Sequence, residues 1–229
     1  NELDAAIQIH LHETAAEVLA HVEATDERPI DSLARIGLLG PRTQCVHMIA
    51  LGSKDIETVA IQGAHVVHCP RSNMKLASGA CPVSKLRDAG INIALGTDGA
   101  GSNNRLNGFA EMQSAALLAK LESGEPSALS ASEAIRMATL DGARALGLDH
   151  VTGSLEAGKS ADFIAIDMSG IHMAPNHQVE SNIVYAASGN EVTHSWIAGK
   201  NAVKNGQLQS LDSDVLRHKA AHWRAKLSA

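Results

Sequence analysis

Four imidazoles and two carboxylates stand where apolar runs stop. His10 closes AIQIH and is followed by His12 and Glu13, His47 closes TQCVH, His68 closes AHVVH, and Asp98 comes just after INIALG. Imidazole nitrogen and carboxylate oxygen suit divalent zinc, and a catalytic zinc site keeps one position open for water. Such an ion lowers the pKa of its water from about 15.7 toward about 7, and a carboxylate touching both can take the proton and pass it on. Asp98 is the best candidate for that double role, as ligand and base, with His10 as a second ligand. Glu13 is either a proton donor to a bound heterocycle or an ordinary acid at a helix N-terminus. His47 is either an active-site donor or a satisfied core imidazole, and His68 either belongs to the site or supports the loop beneath Pro70. The remaining histidines show no converging pattern and read as structural or surface groups.

Strands must end together for these groups to meet. Residues 6 to 10, 43 to 47, 64 to 68 and 91 to 95 read as strands from their apolar, β-branched runs, the last breaking into the Gly/Ser/Asn-rich turn that carries Asp98. Helical spacing predicts a helix starting at Glu13 or Thr14, with Ala15, Val18, Leu19 and Val22 inward. Further helices are predicted over 30 to 39, over 53 to 63 with Ser53 as N-cap, and over 82 to 89, with 71 to 74 as a polar loop. Strand ends recurring every 20 to 40 residues or so are the repeat of βα units, whose carboxyl ends handle ligands. A helix over 106 to 121 is expected to bury Phe109, Met112, Ala116 and Leu117. A single helix over 130 to 146 should open on a Ser130/Glu133 capping box and close at Gly147. The character then changes: a turn-rich link leads to short strands at 163 to 166, 192 to 197 and 201 to 203, followed by an amphipathic helix over 215 to 227. The expected division is an α/β part (1–150), a β part (151–210) and a terminal helix (211–229).

With 229 residues, 45% of them hydrophobic, the chain can bury a large core without splitting into several domains. Its net charge of -6 argues against a nucleic-acid surface, which clusters Lys and Arg. The absence of a long apolar run argues against a membrane span, and a cytoplasmic protein is expected. Cys45, Cys69 and Cys81 have neither the number nor the spacing of a disulfide or zinc framework. The chain opens on NELDAAIQIHLHETAAE, with no initiating Met and almost no lead-in before a strand, which suggests a piece of something longer.

The motifs IHLHETAAE, VHM, VVHCPRSNMKLASGACPV, LGTDGAGSNN and GSLEAGKSADFIAID resemble the carboxyl-terminal half of the amidohydrolase superfamily. They are most similar to its branch of 5-methylthioadenosine/S-adenosylhomocysteine deaminases and ATZ/TRZ-type triazine hydrolases. GKSADF alone would indicate only the superfamily; Thr97-Asp98-Gly99 followed by Ser102-Asn103-Asn104 is specific for the branch. The resemblance implies an α/β fold: strands five to eight of a distorted (β/α)8 TIM-like barrel, with part of a small β-sandwich. It implies one Zn2+ per active site, or another divalent ion such as Fe2+. On this mapping His10 resembles the strand-five metal ligand, Glu13 the acid that protonates the purine, His47 the strand-six group that orients the attacking hydroxide, and Asp98 the strand-eight ligand and base. Glu13 and Asp98 would therefore also contact substrate. His12 falls at a position not used for metal, and His68 on strand seven, outside the ligand set.

The implied reaction is hydrolytic deamination at C6 of a purine nucleoside: 5-methylthioadenosine, S-adenosylhomocysteine or adenosine. Guanine-type and other aminoheterocycle deaminases, triazine chlorohydrolases and a non-catalytic, metal-free relative are the alternatives. The strand-one His-x-His pair of the family has no counterpart here, since His10-Leu11-His12 lies far too near Asp98 in the chain. The expected partners are thus the amino-terminal half of the same enzyme and a small-molecule nucleoside. A homo-oligomer stays open, and nucleic acid and membrane are not expected.

Overall fold

The first four apolar runs become parallel strands whose carboxyl ends are in register. In the computed structural model, which describes residues 5–227, β1 (Ile7–Leu11), β2 (Thr43–His47), β3 (His65–His68) and β4 (Ile93–Leu95) form a sheet in the order β1-β2-β3-β4. Leu11 lies beside His47 and His68 beside Leu95, so the ends that carry the polar groups sit along one rim. Exposure alternates along β1, which leaves Gln8 and His10 on an open face.

Helices α1 (Ala15–Thr25), α2 (Pro29–Arg35), α3 (Ser53–Gln62), α4 (Pro70–Lys75), α5 (Val83–Asp88), α6 (Ala100–Asn103), α7 (Gly108–Ser123), α8 (Ala131–Ala138) and α9 (Leu140–Ala145) follow or separate the strands. Together with the sheet they enclose a core that includes Ile30, Cys45, Val59, Val66, Leu86, Ile93, Met112 and Met137. Burying each large aliphatic side chain there contributes about 1.5–3 kcal/mol. Next come β5 (Phe163–Ile166), a 3-10 turn (Ile171–Met173), α10 (Val179–Tyr185), β6 (Val192–Ile197), β7 (Lys200–Lys204), β8 (Gln207–Leu208) and α11 (Ser213–Leu227). Strands β5 to β8 make an antiparallel sheet in sequence order.

Several local expectations change. Residues 71 to 74 are helix rather than loop, because Pro70 presets the first-turn φ of α4 and needs no N–H there. Ser53 is not the N-cap of α3 but its first residue: Gly52 is the cap, and Asp55 Oδ2 accepts the Gly52 N–H at 2.6 Å. Buried Asp55 also takes Arg28 Nε and Nη2 at 2.8 and 2.7 Å, tying the start of α2 to α3.

The single helix expected over 130 to 146 is two. Thr139 leaves helical geometry (φ −127°, ψ −95°), and its hydroxyl donates to Ile135 O at 2.8 Å, a back-bond that bends helices. Leu19 and Leu117 are exposed; α7, which packs against α8, buries Met112 and Ala116 as expected and beside them Ala115 and Ala119. Neither α10 nor the short β8 is signalled by the sequence pattern. Helix α10 packs against α7 and α8, with Gln113 Nε2 donating to Tyr185 O and Asn107 Nδ2 to Ser188 O. No described residue of α11 is buried, and no helix among the described residues is long and apolar enough to cross a membrane.

Candidate metal centre

Each polar group of the rim is aimed by a turn that takes the backbone off its strand. At the end of β1, His12 has φ +53° and is fully buried. Its Nδ1 donates to Ala50 O at 3.0 Å and its Nε2 accepts from Ile30 N at 3.3 Å, so both nitrogens are spent on holding the strand end against α2 and the 49–50 turn. At the end of β2, His47 and Met48 have φ of +76° and +50°, left-handed values rare outside glycine and concentrated at functional sites. His47 is buried, its Nδ1 donates to Asn73 Oδ1 at 2.7 Å, and its ring centroid lies 4.9 Å from that of His10. Beyond β4, Asp98 has φ +58° and sets its Oδ1 3.5 Å from His10 Nε2.

The fold therefore brings together all four residues singled out as the site. Donor atoms of His10, His47 and Asp98 all lie within 4.8 Å of one another. Glu13 Oε2 is 3.8 Å from His47 Nε2, while its Oε1 accepts from Ser78 Oγ at 3.0 Å. Two imidazoles and a carboxylate are the borderline and hard donors that fit a divalent ion such as zinc, so the residues present suit the group. His47 stands near enough to serve as donor as well as orienting group.

His68 does not join them. It is fully buried, with neither ring nitrogen hydrogen-bonded to a described residue, and burial, with His47 nearby, pushes its pKa down to about 3.

Burial alone would raise the pKa of Asp98. The hydroxyls of Ser102 and Ser72, each donating to Oδ2 at 2.6 Å, together with the Gly99 backbone and His10, outweigh it and hold the carboxyl well below its ordinary range. Asn103 clamps the turn below Asp98 by donating Nδ2 to Thr97 O at 2.6 Å and to the buried Glu111 carboxylate at 2.7 Å. Burial pushes the Glu111 carboxyl up, against the opposing bonds from Asn103 and Arg71.

Ser72, Asn73, Ser78 and Ser102 were not among the expected site residues. The available signals were the stretch SNMKLAS, four residues after a strand-end histidine, and for Ser102 its place in the motif LGTDGAGSNN. Reading its first part as a solvated loop concealed that Ser72 and Asn73 are buried.

A profile described as the Amidohydrolase family matches residues 1–202. The 5-methylthioadenosine/S-adenosylhomocysteine deaminase of Teredinibacter turnerae is 49% identical over 229 residues, which is 100% of this chain and 52% of that protein. A crystal structure of an adenosine deaminase from Xanthomonas campestris with bound zinc superposes with a TM-score of 0.97 at 44% identity, over 99% of this chain and 52% of that one. The zinc complex of an atrazine chlorohydrolase from Arthrobacter aurescens superposes at 0.91 but is 23% identical, over 96% of this chain and 49% of that one, a likeness of fold alone. The chain thus spans about half the length of the curated relatives it matches.

Proposed function

The chain belongs to the amidohydrolase family, and from that premise we propose that it forms part of a zinc-dependent hydrolytic deaminase acting on adenosyl compounds. The observation that carries this reading is the convergence of His10, His47 and Asp98 donor atoms beside the Glu13 carboxylate, on the carboxyl rim of one parallel sheet. In this reading the four parallel strands are strands five to eight of a (β/α)8 barrel, and the antiparallel sheet contributes to a small β-sandwich. Further imidazole ligands come from the remainder of a chain of the relatives' length.

His10 and Asp98 would hold the ion, with His47 in reach. When bound, it supplies Lewis acidity and lowers the pKa of a water it holds toward about 7. Asp98 Oδ1 takes a proton from the attacking water while His47 Nε2 orients it. Glu13 gives a proton to N1 of the purine, so that C6 can accept the oxygen. Collapse at C6 then expels ammonia, which carries the proton that Asp98 took, and the remaining hydroxyl proton returns to Glu13.

The test is ammonia release by the full-length enzyme from 5-methylthioadenosine, S-adenosylhomocysteine, adenosine and guanine, assayed separately. Turnover of one or more adenosyl compounds is expected, with guanine inert. Turnover of guanine alone, or of none of the four, would sink the reading.

A further inference from the structure

The stretch that follows β3 carries three polar side chains, and each ends on a different reactive group. Ser72 and Asn73 lie fully buried in α4, and Ser78 follows in the next turn. Ser72 Oγ donates to Asp98 Oδ2 at 2.6 Å, Asn73 Oδ1 accepts from His47 Nδ1 at 2.7 Å, and Ser78 Oγ donates to Glu13 Oε1 at 3.0 Å. Each bond occupies one atom of its partner and frees the other. Asp98 is left with Oδ1 toward His10, His47 with Nε2, and Glu13 with Oε2, 3.8 Å from that Nε2. Groups from the ends of three different strands thus turn their free atoms to one space.

Resting on the deaminase reading above, we infer that Ser72, Asn73 and Ser78 are positioning residues and that residues 72 to 78 form one cradle for the site. Ser72, together with Ser102 from the turn of Asp98 itself, fixes which carboxylate oxygen Asp98 presents, Asn73 fixes the tautomer of His47, and Ser78 fixes the rotamer of Glu13. An amide oxygen facing Nδ1 requires the proton there, which leaves Nε2 as the lone pair that meets water or metal. Asn73 Nδ2 has no hydrogen-bond partner among the described residues although it is buried, a destabilising arrangement that an apolar side chain of similar size would avoid. What its oxygen holds explains why an amide stands there.

The backbone of the segment is stiff enough for this task. Asn73 N donates to Cys69 O, Leu76 N to Ser72 O and Ser78 N to Asn73 O, all within 3.0 Å. Ala77 sits at φ +55°, and at Gly79 (φ +126°) a Cβ would come 2.8 Å from Ile49 Cγ2. The exit of the cradle therefore admits only glycine, and the Ser78 hydroxyl is held over Glu13.

The experiment uses the full-length enzyme and its S78A, S78T and S72A variants. It measures kcat and KM for 5-methylthioadenosine, Zn2+ retention against a chromophoric chelator, and the thermal midpoint. Ser78 is only partly buried, so S78A should keep the midpoint, KM and Zn2+ while kcat falls about 10- to 100-fold; S78T, which restores the hydroxyl, should recover most of it. S72A should weaken Zn2+ retention about 10- to 100-fold. Nitrogen-15 shifts of His47 in the unmutated enzyme should report the Nδ1–H tautomer. Wild-type kcat in S78A, wild-type Zn2+ retention in S72A, or an Nε2–H tautomer would overturn the cradle. If the unmutated enzyme releases no ammonia from any adenosyl compound, the deaminase reading fails, and the Zn2+ and tautomer measurements still decide the cradle.

Discussion

Asp98 uses its two oxygens for two jobs: Oδ2 is anchored by serine hydroxyls and Oδ1 faces His10. Asn in its place has one acceptor oxygen where the carboxylate has two, and no basic oxygen to take a proton. D98N in the full-length enzyme should keep the fold, hold Zn2+ more weakly and lose about 10²- to 10⁴-fold in kcat; near-normal turnover refutes the assignment. E13Q is the counterpart, because Glu13 touches His47 and Ser78 but does not join the donor cluster. It should retain bound metal, measured as zinc per chain, and lose a comparable factor in kcat, whereas loss of metal would reverse the two roles. At this scale the sequence was informative for His10 and His47, each of which closes an apolar run, since a strand end places it on the rim. It was silent on Ser72, Asn73 and Ser78, because serine and asparagine after a proline read equally as solvated turn and as buried hydrogen-bond partner. His68 was left open because an apolar run ends on it just as on His47, and only the structure shows His47 bonded to Asn73 and within the donor cluster while neither His68 nitrogen meets a partner among the described residues.

Among the elements, strands and the Ser130 capping box were the most legible and helix continuity the least. TQCVH and VTHSWI are strands over the expected residues, and Ser130 and Glu133 form the expected capping box, with Ser130 N donating to Glu133 Oε2 at 2.7 Å. The break at Thr139 escaped because it arises from a side chain bonding back to the helix, which apolar periodicity does not register. Losing the Ser130 cap in S130A should cost about 1 kcal/mol in urea unfolding at neutral pH. Glu133 adds a pH dependence of defined sign. Burial would raise its pKa, but bonds from Arg87 and from the Ser130 hydroxyl and backbone pull it from 4.5 down to about 2. An acid depressed on folding stabilises the protein above its unfolded pKa and loses that contribution as pH falls through the folded one. The stability difference between the unmutated protein and E133Q should therefore be full above about pH 4.5 and shrink toward about pH 2. A difference constant over that window would show that Glu133 is not held ionised by this box.

At the scale of the whole molecule, the four-stranded parallel sheet is covered on one face by helices, while the other carries His10 with a side chain 60% exposed. A rim residue so open to water cannot hold a substrate away from solvent, and β1 and β4, its outer strands, offer backbone groups for further pairing. Large apolar side chains are also uncovered, among them Leu121, Leu155 and Ile171. Unpaired strand edges such as those of β1 and β4 template pairing with another chain when nothing covers them. This open face was not legible in the sequence, because an apolar run marks a strand and says nothing of what lies opposite it. The 229-residue chain produced by itself should therefore sediment as self-associated species and release no ammonia above background, while a chain of the relatives' length should turn over. The comparison reads more than activity: the shorter chain should also give up Zn2+ to a chelator faster, because it offers His10 and Asp98, with His47 in reach, without the further imidazole ligands of the proposed full-length site. Turnover and Zn2+ retention in the short chain equal to those of the long one would mean that this half alone closes the site, and that the exposed rim is not where the substrate is held.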